Sequence, residues 1–267
     1  MADWERYLRG KRVWVTGASS GIGEALVDIL GKAGIATLAS ARRADRLGVL
    51  AARHASVSVL PFDLADRERL GEIATRAWDQ LGGIDVLVNN AGISMRSAFV
   101  EADPEVLERV LAVDLLGTMR LTHAVASRMV SQESGHIVTV TSLAALIPPP
   151  RRTAYAAAKA GLHALFDAMR GELEPRGITI SLAVPGYVKT EISTHAVSAN
   201  GTAHGRMDAN QEEGRTPEEC AIHILNKIAA RRREFLVAMT PKLWLALLLR
   251  RVAPGILLRM LPKAART

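Results

Sequence analysis

The chain has 267 residues, enough to bury one substantial core, and its composition, 49% hydrophobic and 23% charged with 21 glycines, suits one α/β domain. Aromatics at 4% argue against a stacking platform for single-stranded nucleic acid, one cysteine (Cys220) excludes an intramolecular disulfide and fits a reducing compartment, and seven scattered histidines lack metal-ligand spacing. The net charge of +7 is local: ten Lys and Arg stand against Glu234 alone from Lys227 to Thr267, net +9, which leaves 24 basic and 26 acidic residues in the first 226, net −2, so the body is no nucleic-acid-binding surface.

From the N-terminus, Met1-Ala-Asp-Trp-Glu-Arg mixes charges and lacks the apolar core of a signal peptide, and no apolar run approaches the ~20 residues of a spanning helix. Residues 11–16 read as a first strand, then a Gly-rich turn and a helix over 24–33. Strands follow at 35–40 and 56–61, with a helix over 43–53 between them. A helix over 66–81 ends at Gly82-Gly83, before a fourth strand at 84–88. Pro104 opens a long helical pattern over 105–130, with Asp103 as its cap and room for a break near Gly117. A fifth strand covers 135–141, a helix 153–173, and a sixth strand 178–184 ends at Pro185-Gly186. Polar, glycine-containing residues 191–215 interrupt the rhythm and suggest a lid over the sheet's C-terminal edge. Thr216 and Pro217 then cap and open another helix, and 234–238 read as a last strand. Such alternation predicts a doubly wound, Rossmann-type parallel sheet of about seven strands.

Thr16-Gly17-Ala-Ser-Ser-Gly21-Ile22-Gly23 lies between the first strand and first helix. Glycines there let the backbone turn tightly and approach a pyrophosphate at a positive helix N-terminus. Sites that select NAD usually hold the ribose 2′-hydroxyl with an acid at the end of the second strand. Here the chain reads Ala39-Ser40-Ala41-Arg42-Arg43. A guanidinium suits a 2′-phosphate, so NADP(H) is expected, with Arg42 favoured over Arg43 as its anchor. Asp63 follows the third strand, where it could accept from an adenine amino group, and Asn89-Asn90-Ala91-Gly92 follows the fourth.

Tyr155-Ala-Ala-Ala-Lys159 puts a phenol and an ammonium on one helix face, with Ser142 thirteen residues upstream. An adjacent ammonium stabilises a phenolate, which makes such a pair an acid–base unit.

Together these motifs, ordered and spaced over residues 11–190, resemble the short-chain dehydrogenase/reductase family, in its TGxxxGxG subgroup. The stretch from Pro185 through Gly214-Arg-Thr-Pro-Glu-Glu is similar to the member 7B-like branch, which neighbours the 11β-hydroxysteroid dehydrogenases. The resemblance implies a nicotinamide cofactor held by Gly17, Ser19, Ser20, Gly21, Ile22, Gly23, Arg42, Arg43, Asp63, Leu64, Asn90, Ala91, Gly92, Tyr155, Lys159, Pro185, Gly186, Val188 and Thr190. It implies that Tyr155 exchanges a proton with the substrate oxygen, that Ser142 holds that oxygen, and that Lys159 supports the phenolate and the nicotinamide ribose. It also implies lipid-like or bulky carbonyl substrates, and a homodimer or homotetramer formed through the helix that carries Tyr155.

One residue departs from the family's pattern. Val113-Asp114-Leu115-Leu116-Gly117-Thr118 has an acid where the family has an asparagine that helps hold a water on a proton relay through the lysine. Asp114 keeps the size but lacks the amide donor, and an ionised Asp114 would favour charged Lys159.

Ile93, Met95, Leu143, Ala144, Ile147, Pro148, Pro149, Pro150 and Tyr187 are expected to form an apolar substrate wall. Arg151 and Arg152 read as solvated loop residues in preference to contacts for an acidic substrate. The division expected is 1–240 for the cofactor-binding domain and 241–267 for a basic, apolar helical tail of two short helices meeting at Pro254-Gly255. That tail, through 241–266, has to be covered by protein or by an anionic membrane surface. A cytoplasmic location follows, with peripheral contact on the inner membrane surface if lipid covers the tail. The favoured function is NADPH-dependent reduction of a hydrophobic ketone or oxidation of the matching alcohol. The alternatives are a 3-oxoacyl-thioester reductase and a weakly catalytic, membrane-associated NADP-binding protein.

Overall fold

A computed structural model describes residues 1–264, with side chains through 261; residues 265–267, the end of the expected tail, lie outside the described residues. Its strands are β1 (Arg12–Thr16), β2 (Ala36–Ser40), β3 (Val57–Val59), β4 (Val86–Asn89), β5 (Gly135–Val140), β6 (Ile178–Pro185) and β7 (Glu234–Val237). They form one sheet in the order β3-β2-β1-β4-β5-β6-β7, and every pairing is parallel. The chain runs outward from β1 to β3, then returns to place β4 on the other side of β1. The loops after β1 and β4 therefore part at the C-terminal ends of their strands, and a crevice opens between them.

The strands are apolar on both faces because helices cover both. Val13, Val15, Val86 and Val88 face a layer of α1 (Asp3–Leu8), α2 (Gly21–Lys32), α3 (Ala44–Ala51) and α9 (Pro217–Ala229). Trp14, Leu87, Ile137 and Leu182 face α4 (Leu70–Leu81), α6 (Thr118–Ser131) and α7 (Thr153–Leu173). The remaining α-helices among the described residues are α5 (Pro104–Leu111), α8 (Ala209–Glu212) inside the expected lid, α10 (Pro241–Val252) and α11 (Pro254–Ala264). Trp14 is fully buried, and its indole N–H donates to Ser40 Oγ at 2.9 Å, so the large ring leaves no unpaired donor.

Three local details differ from the sequence expectation. The first is α1, which no periodic run announces because it is only six residues long; Trp4 and Leu8, four apart, bury its inner face. The second is the helix expected over 105–130: the break allowed for near Gly117 is there, but as a π-helical turn at Ala112–Gly117 that joins α5 to α6 without a gap. The extra residue in that turn swells the helix, and Gly117 lets it pass against the Leu64 carbonyl, where a Cβ would have no space. The third is Asp103, which stands at the N-cap of α5 with no side-chain capping bond. Thr216 does cap α9: its Oγ1 accepts from Glu219 N at 3.2 Å, and the Glu219 carboxylate accepts from Thr216 N at 3.1 Å.

Candidate active site

The crevice is a cavity of about 1080 Å³, above the usual range for a small ligand and large enough for a dinucleotide with a second molecule. Its floor at one end is the turn after β1. Thr16 Oγ1 accepts from the N–H groups of Asn90 and Ala91 at 3.1 and 3.2 Å, and Asn90 Nδ2 donates to the Thr16 and Gly17 carbonyls at 3.1 and 3.3 Å. These bonds clamp the β1 turn to the β4 turn. Gly17 adopts φ +68°, and a Cβ there would lie 2.7 Å from Ala91 Cα, so both conformation and space demand glycine. Gly23 does not face the cavity; it lets α2 approach the Gly17 carbonyl and Asn90.

α2 opens onto this floor, and no side chain caps it at Ser20. Its first N–H groups carry partial positive charge and suit a pyrophosphate. Gly17, Ser19, Ser20, Gly21 and Ile22 line the cavity, as do Arg42, Arg43, Asp63, Leu64, Asn90, Ala91, Gly92, Pro185, Gly186, Val188 and Thr190. The two arginines behave differently. Arg43 folds over the turn, donating to Ser19 Oγ at 3.1 Å and Ser20 Oγ at 2.9 Å, and its Nη1 lies 3.5 Å from Glu191. Arg42 is half exposed, with Nη1 3.9 Å from Asp63. Asp63 Oδ1 also accepts from Ala65 N at 2.9 Å. This end of the cavity therefore fits a dinucleotide: an uncapped helix start, a floor opened by Gly17 and Gly21, and two guanidinium groups where β2 ends.

The other end carries Ser142, Tyr155 and Lys159. Ser142 follows β5, and its Oγ accepts from Ala144 N at 3.1 Å, which fixes the rotamer and leaves the hydroxyl proton to donate. Tyr155 and Lys159 lie one turn apart on α7, 6% and 3% exposed, with Lys159 Nζ 5.7 Å from the phenol ring centroid. Nζ donates to the Val140 carbonyl at 3.4 Å and lies 3.5 Å from Asp114 Oδ2.

Asp114 does not reach the cavity wall. It is fully buried behind Gly92, where Oδ1 accepts from Ile93 N at 2.7 Å and Oδ2 faces Lys159. Burial pushes the Asp114 carboxyl up, and the Lys159 charge and the Ile93 N–H pull it back only in part. Both oxygens look at donors, so the missing amide donor noted in the sequence would be misdirected here. A Cβ on Gly92 would come within 2.9 Å of Asp114 Oδ2 and 3.1 Å of Lys159 Nζ, so this pair needs glycine in front of it.

Of the expected apolar wall, Ile93, Leu143, Ala144, Ile147, Pro149, Pro150 and Tyr187 line the cavity, whereas Met95 and Pro148 do not. Met95 is instead wholly buried in the packing beside it. The reading of Arg152 as solvated is corrected. It is half-buried, lines the cavity and pairs with Asp208, which also lies 3.6 Å from Arg96. Arg151 is exposed at φ +65°. Sequence reasoning missed Arg96, Asp208 and Gln211, because nothing in their spacing links residue 96 to residue 208. It also missed the cavity contacts of the tail, through Leu243, Ala246, Leu257, Met260 and Leu261. Among the described residues, no group of three or more His, Cys, Asp or Glu could hold a metal ion, and no helix is long and apolar enough to cross a membrane.

Comparison with known proteins agrees with this geometry. The sequence model of the family described as short chain dehydrogenase matches residues 11–201. Dehydrogenase/reductase SDR family member 7B of Bos taurus is 35% identical over 279 aligned residues, which span 100% of this chain and 86% of that relative. An alcohol dehydrogenase from Thermococcus sibiricus, solved in complex with 5-hydroxy-NADP, superposes with a TM-score of 0.74 at 25% identity, over 86% of this chain and 98% of that one. A short-chain dehydrogenase/reductase from Burkholderia phymatum, solved in complex with NAD, shares the fold with a TM-score of 0.80 at 23% identity, over 92% of this chain and 94% of that one. The cavity and these likenesses lead to one conclusion: the chain belongs to the short-chain dehydrogenase/reductase family of nicotinamide-dependent oxidoreductases, in its member 7B-like branch.

Proposed function

We propose that the protein is an NADP(H)-dependent reductase that interconverts a hydrophobic, lipid-like ketone and its secondary alcohol. The observation that carries this reading is that Ser142, Tyr155 and Lys159 open into the same cavity as the glycine turn and the Arg42–Arg43 pair. When bound, the nicotinamide supplies or accepts the hydride. Tyr155 Oη gives the substrate oxygen its proton in reduction and removes it in oxidation. Ser142 Oγ holds that oxygen by a hydrogen bond and supports its developing charge. Lys159 stabilises the phenolate and offers N–H donors to the cofactor ribose. Asp114 positions Lys159 from behind. Arg42 and Arg43 favour the 2′-phosphate, since no acid stands at the end of β2 to hold a 2′-hydroxyl. The wall of Ile93, Leu143, Ile147 and Tyr187, continued by the tail, favours an apolar substrate.

The test is NADPH oxidation with a panel of an aliphatic ketone, a steroid ketone and a 3-oxoacyl thioester. Tyr155→Phe should lower turnover about 10²–10⁴-fold while NADPH binding persists. Turnover that survives Tyr155→Phe would refute the assignment. A wild type that binds NADPH and reduces none of the panel would favour the weakly catalytic binding protein. Preference for the thioester would move the substrate class.

A further inference from the structure

α10 and α11 present two different faces. On the inside, Leu243, Ala246, Leu257 and Leu261 line the cavity, and Leu257 is only 6% exposed. Leu243 packs so closely on Gly186 that a Cβ there would lie 2.8 Å from its Cδ1, which fixes α10 above the end of β6. The outside is as apolar as the inside. Trp244, Leu245, Leu248 and Val252 form one stripe of α10, at 55–67% exposure, and Ile256 and Leu258, on either flank of inward-facing Leu257 in α11, are 54% and 52% exposed. No side chain of α10 is buried. Large apolar groups gathered into one patch, unlike single ones scattered over a surface, mark a face that is covered in use.

Charge identifies what covers it. Six Lys and Arg and no Asp or Glu follow Glu234. Of these, Lys242, Arg250, Arg251 and Arg259 are exposed, at the ends of α10 and on α11. A second copy docked face to face would bring two such sets together without one acid to neutralise them. An anionic lipid surface meets both requirements, with acyl chains for the apolar stripe and headgroups for the cations. At 12 and 11 residues, the two helices are too short to span a bilayer but long enough to lie in its surface.

We infer that the α10–α11 hairpin docks the protein on an anionic lipid surface and that the same hairpin is the mouth of the substrate cavity, so that the ketone enters from the lipid. Met260 marks this junction: it lines the cavity and is 53% exposed. Docking stands on the hairpin alone; delivery of substrate rests on the reductase reading above.

The test is co-sedimentation of the full chain with vesicles of phosphatidylcholine alone and of equimolar phosphatidylcholine and phosphatidylglycerol. Binding should be confined to the anionic vesicles and weaken with salt. Trp244→Glu with Leu248→Glu, neither of which lines the cavity, should abolish pelleting, and Arg250→Ser should weaken it about fivefold. NADPH binding and turnover of a water-soluble ketone serve as the folding control, because both should survive these changes. Equal pelleting of wild type and the double variant would overturn docking. So would a dimer in solution that the double variant dissolves while neither protein binds vesicles. If vesicles bind but a bilayer-resident long-chain ketone is reduced no faster by wild type than by the double variant, delivery fails and docking stands. If no ketone is turned over at all, the reductase reading fails instead.

Discussion

Asp114 shows how far a single position can be read before its neighbours are known. Its charge and its departure from the family pattern were legible in the sequence, and the Lys159 it was expected to act on does lie 3.5 Å away. The π-helical turn that aims it, and the Ile93 N–H that occupies its second oxygen, depend on packing that no local pattern encodes. An ionised Asp114 pairs with the Lys159 ammonium 3.5 Å away; a protonated one gives up that ion pair. Because burial raises its carboxyl from the ordinary 3.8, the change falls above that value. Asp114→Asn cannot titrate and turns an N–H group toward Lys159. Its kcat/KM–pH profile should lose the inflection that Asp114 contributes above its ordinary value, while the reaction itself persists. Coincident profiles for the two proteins would mean that the charge of Asp114 does not reach the proton-transfer step. Gly92→Ala should be more damaging than Asp114→Asn, since a Cβ must displace Asp114 or Lys159. A kcat loss of at least about tenfold, with the fold intact by circular dichroism, is expected, on the order of the cost of misplacing a positioned group.

Among the elements, β5 carries a buried polar chain that its sequence did not announce. His136 Nδ1 meets Tyr7 Oη at 3.2 Å, and Nε2 meets Ser181 Oγ at 2.8 Å. The strand pattern marked residue 136 as part of β5, but α1, which supplies Tyr7, was too short to be seen. Burial, with the charges of Arg231 and Lys11 adding to it, lowers the His136 pKa to about 3. Its ordinary value is 6.5, so between 6.5 and about 3 the unfolded chain binds a proton that the folded chain refuses. Stability from this group is complete above pH 6.5 and is lost as pH falls, at up to about 1.4 kcal/mol per pH unit. In urea unfolding, His136→Gln should be less stable than wild type at pH 7, and the gap should narrow as pH is lowered. His163 and His223, also lowered by burial, keep part of the acid slope in both proteins. A gap that stays constant with pH would mean that His136 is not held neutral in the folded state.

For the whole molecule, the strand-helix alternation and the order of motifs were enough to predict the parallel sheet and the glycine turn at the end of its first strand. They could not say which elements meet across the crevice, because those contacts join residues distant in the chain. Arg43, at the start of α3, and Glu191, at the start of the 191–215 segment, are such a pair. Glu191 lies 3.5 Å from Arg43, 3.1 Å from Arg46 and 3.4 Å from His195. Desolvation pushes its carboxyl up, but Arg46, His195 and Arg43 together outweigh that and hold it below the usual range. A cofactor 2′-phosphate drawn to Arg43 therefore competes with a carboxylate already there, whereas half-exposed Arg42 has a weaker prior claim from Asp63. Removing either arginine should raise the KM for NADPH about ten- to a hundredfold, the scale of one charge-assisted hydrogen bond, and leave the KM for NADH nearly unchanged. Glu191→Gln separates competition from simple support. If Glu191 competes, the variant lowers the KM for NADPH and not that for NADH. If it only braces the segment, both rise together. An Arg42→Ala, Arg43→Ala double variant that still prefers NADPH would move the 2′-phosphate away from both arginines, and with it the reason for expecting NADP(H).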